Sequence, residues 1–192
     1  MTDEQRQNYT ELLRSRLSDY RFHHSLCVAE EAVRLAKLYG ADEKKAELAG
    51  LLHDIMKEAD REEQTRYALM ICRRPSPYFE ASPKLLHAPA AAAYVRRELG
   101  IKNREVLAAI RYHTTGRANM SLLEKVIFLA DFTSADRSYH GIGKMRSLAN
   151  KDMTKAMKYA LSYTITDLVA NGKTVHPDTI DAYNDLLLSG GR

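Results

Sequence analysis

The sequence has no tryptophan and only two cysteines, Cys27 and Cys72, in 192 residues. That excludes a disulfide-stapled miniprotein and any cysteine-rich zinc framework. Glycine (9) and proline (5) are scarce too, which points to long uninterrupted elements. No stretch approaches the roughly 20 apolar residues of a membrane helix. The opening Met1-Thr-Asp-Glu-Gln-Arg-Gln-Asn8 lacks the apolar segment of a secretory leader. The expected setting is the cytoplasm, with reduced thiols and no membrane partner. Neither charge sign dominates: 29 basic residues are interspersed with 25 acidic ones, for a net +4 and a pI near 9.0. The balance favours an anionic partner, but without a basic block or an aromatic platform nucleic acid is not expected to be it.

What is present is 45% hydrophobic and 28% charged, enough for one globular domain with a core. Apolar residues recur at helical spacing nearly throughout and no strand-like alternation is sustained, so the fold is expected to be all-α. The spacing predicts helices over Asp3–Leu17, Phe22–Tyr39, Glu43–Lys57, a short one to Cys72, Ala88–Leu99, Asn103–His113, Ser121–Phe132, Lys151–Asn171 and Asp178–Leu188. Gly40, Gly116 and Asn171-Gly172 read as stops, Asp42 as an N-cap, and Asp60-Arg-Glu-Glu63 and Ser121-Leu-Leu-Glu124 as capping boxes. Arg74–Pro83, with three of the five prolines, is the longest expected loop and a candidate lid.

Seven histidines make imidazole the first chemistry to follow. His53-Asp54 interrupts the apolar run Ala49-Gly-Leu-Leu-His-Asp-Ile-Met56. A lone His-Asp dipeptide is more often a satisfied core histidine beside a capping or salt-bridging acid. Asp131, embedded in Val126-Ile-Phe-Leu-Ala-Asp-Phe132, shifts the balance, because a second buried carboxylate calls for a cation. A divalent metal pairs a carboxylate and takes an imidazole lone pair, and His24, near the start of the second helix, is considered together with these residues. His87 and His113 have two open readings. One is a dipole-complementing helix end; the other is a phosphate contact or second-metal ligand with Thr114, Thr115 and Arg117 nearby. His23 and His140 read as surface residues.

Taken together, Arg21-x-x-His24, Leu-Leu-His53-Asp54 and Leu-Ala-Asp131 resemble the HD-domain metal-dependent phosphohydrolases. Leu85-Leu-His-Ala-Pro89, Ala109-Ile-Arg-Tyr-His-Thr-Thr-Gly-Arg117, Met120-Ser-Leu-Leu-Glu-Lys125 and Gly172-Lys-Thr-Val-His-Pro-Asp-Thr-Ile180 are similar to the YqeK-type branch. The resemblance runs from about Arg21 to Asn184. It implies a single-domain helical HD bundle over residues 1–192, with its core at about 20–184. It also implies symmetrical hydrolysis of diadenosine tetraphosphate to two ADP by metal-activated water. The implied ligands are His24, His53, Asp54 and Asp131, with His87 and His113 across the site at the phosphates or a second metal. His87, His113 and Asp54 are the implied catalytic set, either histidine protonating the leaving oxygen. Arg21 and Arg137 match nucleotide contacts, and Lys173, Thr174 and His176 are expected near the nucleotide as well.

The resemblance points to iron, one ion or two, while imidazole and carboxylate ligands suit manganese or zinc equally. A dinucleoside polyphosphate is the implied substrate, and a homodimer is compatible. Where the branch usually has Ile-Glu-Pro-x-Arg, this sequence has Thr133-Ser-Ala-Asp-Arg137, keeping the arginine without that acid or the proline, and Ala88 replaces a common glycine. Two other readings stand beside this one. The first is an HD hydrolase of deoxynucleoside monophosphates or (p)ppGpp. The second, motivated by the pI, is an RNA- or ribosome-associated binding module.

Overall fold

The computed structural model describes residues 1–72 and 76–189, and these are helical with no strand among them. In chain order the helices are α1 (Asp3–Arg16), α2 (Asp19–Tyr39), α3 (Glu43–Leu52), α4 (Arg61–Ala68), α5 (Pro77–Ala81), α6 (His87–Arg97), α7 (Arg104–Tyr112), α8 (Leu122–Thr133), α9 (Ile142–Lys151), α10 (Met153–Ala170) and α11 (Pro177–Ser189). A 3-10 turn, Pro83–Leu85, links α5 to α6. No described helix is long and apolar enough to cross a membrane.

Local chemistry sets most of these boundaries. Ser121 and Glu124 form the expected capping box at α8. At α4 only half of the expected box forms. Asp60 accepts the Glu63 N–H, but the Glu63 carboxylate accepts from Arg16 at 2.9 Å and so ties α4 to α1. Gly40 ends α2 in the left-handed conformation at φ 76°. Two expectations need correction. The third helix stops at Leu52, five residues early, and continues as tight turns with Lys57 N–H bonded to the Asp54 carbonyl. The expected loop at Arg74–Pro83 holds α5, which starts on Ser76 with Pro77 in its first turn; residues 73–75 lie outside the described residues. The stretch 142–151, assigned to no element from the sequence, is α9.

The packing puts helix ends where chemistry can gather. α2 and α3 pack closely, as do α6 and α7, and α8 lies against α2, α3 and α7. A Cβ on Gly50 would lie 2.9 Å from Ala29 Cα, so only glycine lets α3 approach α2 this closely. The all-buried Ala88–Ala93 run does similar work for α6. Both Ser18 N–H and Oγ bond the Glu58 carboxylate, at 2.6 and 2.8 Å, fixing the start of α2 beside the turns that follow α3. α2 with α3 and each helix from α6 to α11 lie beside their neighbours in the chain, and the start of α2, the ends of α3, α7 and α8 and the start of α6 meet at one place. Leu35, Leu51, Leu52, Ile55, Ile110, Ile127, Phe128 and Leu129, all fully buried, fill the core around it.

Candidate metal centre

Four imidazoles stand in a row at that junction. Ring centroids are 5.4 Å apart for His24–His53, 4.8 Å for His53–His113 and 5.0 Å for His113–His87. All four are buried, and so is Asp54. Three of them are oriented by one repeated device. Nδ1 of His53, His87 and His113 lies 2.7, 2.5 and 2.7 Å from the carbonyls of Gly50, Lys84 and Ile110 respectively, each three residues back. A carbonyl accepts only, so each Nδ1 carries the proton and each Nε2 presents a lone pair.

The Nε2 atoms converge on carboxylates. Asp54 Oδ1 is 3.0 Å from His87 Nε2 and 3.4 Å from His113 Nε2, and Asp54 Oδ2 is 3.6 Å from His53 Nε2. Asp131 Oδ1 is 3.1 Å from His24 Nε2. Two sets therefore bring their ligand atoms within 4.8 Å of one another: His24, His53 and Asp131, and His53, Asp54 and His113. His53 Nε2 is buried without a hydrogen-bond partner. An orphaned imidazole nitrogen aimed at carboxylates, in an all-N/O donor set without thiolate, is what a divalent metal ion satisfies. The residues fit such an ion.

Burial and neighbouring charge define the electrostatics. Burial pushes the His53 pKa down to about 3 and that of His87 down to about 4, with Asp54 pulling the other way, so both rings are neutral ligands at neutral pH. Burial raises the Asp54 carboxyl, yet the group is held well below its usual range, with the Lys57 ammonium and the Arg21 guanidinium each 3.5 Å from it. Asp131 is also held low: His24 and Arg137 outweigh its burial. Because Arg137 Nη2 bonds Asp131 Oδ1 and its Nε bonds the Asp131 carbonyl at 2.7 Å, Asp131 is not the unpaired carboxylate the sequence suggested.

The structure also shows residues that sequence reasoning missed. Asp136 Oδ2 lies 2.8 Å from His24 Nδ1, so this carboxylate aims the fourth imidazole. It occupies the variable position of the 133–137 stretch, where the sequence lacks the expected acid and proline. The loop is held instead by Arg146 of α9, whose guanidinium bonds the carbonyls of Thr133, Ser134 and Arg137 at 3.0, 2.6 and 3.1 Å. Lys57 Nζ is 3.0 Å from His87 Nε2 and 3.5 Å from Asp54 Oδ1. The spacing puts Lys57 at the end of a helix, and nothing in the sequence signals its contact with His87.

Not every expected contact gathers here. Arg21 does, with Nη1 3.5 Å from Asp54 Oδ2. Arg117 does not: it forms a bidentate pair with buried Glu124 at 2.6 and 2.9 Å, and so is not the phosphate donor considered beside His113. Lys173, Thr174 and His176 line an adjoining recess of about 320 Å³ with Lys84 and Thr114. His23 and His140 are exposed, as expected.

Residues 21–136 match the HD domain family. A protein of Halalkalibacterium halodurans named symmetrical bis(5'-nucleosyl)-tetraphosphatase is 45% identical over 93% of this chain and 95% of its own. One of the same name from Bacillus subtilis is 38% identical over 91% and 94%. A crystal structure from Clostridium acetobutylicum, titled a predicted HD superfamily hydrolase involved in NAD metabolism, superposes with a TM-score of 0.92. It is 36% identical and covers 95% of this chain and 97% of that one.

Proposed function

The chain belongs to the HD-domain family, and on that premise we propose that it is a metal-dependent cytoplasmic hydrolase cleaving diadenosine tetraphosphate symmetrically to two ADP. The observation that carries the proposal is the meeting of four buried imidazoles with Asp54 and Asp131 in a chain whose relatives bear that activity in their names.

His24, His53, Asp54 and Asp131 would hold the ion, which we take to be iron, with manganese or zinc chemically able to substitute. When bound, a divalent ion there lowers the pKa of a coordinated water and polarises a phosphoryl oxygen. The protein's own groups do the rest. Arg21 borders the ligands and offers a planar guanidinium fork to phosphate oxygens, while Arg137, whose Nε and Nη2 are taken by Asp131, offers Nη1. His113 and His87 face Asp54 Oδ1 through Nε2 at 3.4 and 3.0 Å, and in this reading they stand on the leaving-group side. His87, neutral and accepting at Nε2 from the Lys57 ammonium, holds that lysine in place, and Lys57 gives the proton to the leaving oxygen. Water thus adds across one phosphoanhydride bond, its hydroxyl to one inner phosphorus and a proton to the oxygen of the other.

Metal depletion with chelator followed by reloading tests this on a panel of diadenosine tetraphosphate, a deoxynucleoside monophosphate and (p)ppGpp. We expect metal-restored turnover of the first alone; preferential turnover of either other substrate would overturn the assignment.

A further inference from the structure

A groove of about 210 Å³ between α6 and α7 is lined by Arg96, Arg104 and Arg111, with Ala92, Leu107 and Ala108 between them. Arg104, Leu107, Ala108 and Arg111 follow the helical spacing i, i+3, i+4, i+7 and share one face of α7. The two arginines therefore stand about 10 Å apart along the helix axis, and Arg96 joins them from α6. In the sequence the three lie seven and eight positions apart and form no basic block; only the fold gathers them. They are also without a counter-charge. Arg6, Arg16, Arg34 and Arg117 each meet a glutamate, and Arg97, next to Arg96, pairs with Glu98 at 3.3 Å. Among the described residues no acid lines the groove and none of its three arginines is paired with a carboxylate. Arg111 instead holds its guanidinium 5.0 Å from the centroid of the Tyr112 ring. Like charges gathered in this way repel one another, and an anion that enters relieves the repulsion.

We propose that this groove is an anion site separate from the metal centre and that it binds a short linear inorganic polyphosphate. Guanidinium forks match phosphate oxygens bidentately. A single phosphate meets one or two of the three arginines, whereas a linear chain lies along α7 from Arg104 to Arg111 and meets Arg96 from α6. The groove is smaller than the roughly 300 Å³ at which sites for drug-sized ligands begin, which suits phosphates that carry no nucleoside. No residue of the metal centre lines it. Arg111 also borders a larger cavity beside that centre, but Arg96 and Arg104 do not, so these two decide the site.

The test is calorimetric titration of the metal-loaded wild type and of the double variant Arg96→Gln/Arg104→Gln with inorganic tripolyphosphate. Both side chains are exposed, so the variant is expected to fold and to keep its metal. The wild type should bind tripolyphosphate at two places, the metal centre and the groove. The variant should lose one of them or weaken it about tenfold or more, and leave the other as it is. Hydrolysis of diadenosine tetraphosphate should be unchanged. Identical titrations of the two proteins would overturn the site. A raised KM for diadenosine tetraphosphate in the variant would make the groove part of the substrate site and overturn its separateness. An RNA oligonucleotide that binds the wild type more tightly than tripolyphosphate, and loses that advantage in the variant, would overturn the choice of ligand. The titration reads binding alone, so it decides the groove even if diadenosine tetraphosphate is not cleaved.

Discussion

The two halves of the metal centre are built in different ways. On one side, His53, His87 and His113 are aimed by carbonyls three residues back, at helix ends already fixed by packing. On the other, His24 is aimed by a side chain 112 positions away, on a loop that owes its shape to Arg146. Each half holds its own cation beside its carboxylate: Lys57 with Asp54, Arg137 with Asp131. A ligand oriented by its own helix end is a local device, whereas one oriented across the fold depends on everything that places the loop.

Asp54 faces His53, His87 and His113 at once, so losing it should have the largest effect. Asp54→Ala is expected to abolish turnover and bound metal together, read by activity and elemental analysis; a variant keeping both would remove it from the ligands. Lys57→Met probes the locally built half. Losing the cation paired with His87 should lower kcat/KM about 100-fold with metal content intact. Unaltered kcat/KM would take Lys57 out of the chemistry.

Asp136 probes the other half. Asp136→Ala should weaken metal binding roughly 10- to 100-fold in competition with a chelator, and Asp136→Asn, whose amide oxygen still accepts from Nδ1, should recover most of it. Equal affinities across the three proteins would show that His24 needs no such support.

The smallest effect is on stability and requires no substitution. Because His53 and His87 are held neutral, with pKa values near 3 and 4 against an ordinary 6.5, the unfolded chain takes up their protons first as the pH falls. Their contribution is full above 6.5 and is lost below it. His24 has the opposite sign. Burial lowers its pKa, but Asp131 raises it further, so its contribution is full below 6.5 and is lost as pH rises through the raised value. The metal-free protein should therefore be most stable near pH 6.5. On the acid side it should lose on the order of 1 kcal/mol per pH unit for each of the two histidines, read from urea midpoints. A flat acid limb would contradict neutral imidazoles.

Legibility in the sequence follows the same division. Helices with a side-chain cap and an apolar stripe, such as α2, α8 and α10, fall close to where the spacing puts them. α9 starts on Gly141 at φ 90° with no capping side chain, so its beginning carries no signal. The early end of α3 is written in no motif: the His53 ring takes the Gly50 carbonyl and the chain tightens past it. His53, Asp54 and Asp131 stood out as polar groups in apolar runs, and His24 through the Arg21-x-x-His24 motif. Asp136, Arg146 and Lys57 sit in polar surroundings, where one charge looks like the next and only the fold shows which faces the site.

The central claim is metal-dependent symmetrical cleavage, and product identity tests it most directly. Metal-loaded protein given diadenosine tetraphosphate should yield ADP as the sole nucleotide product; AMP together with ATP would contradict it.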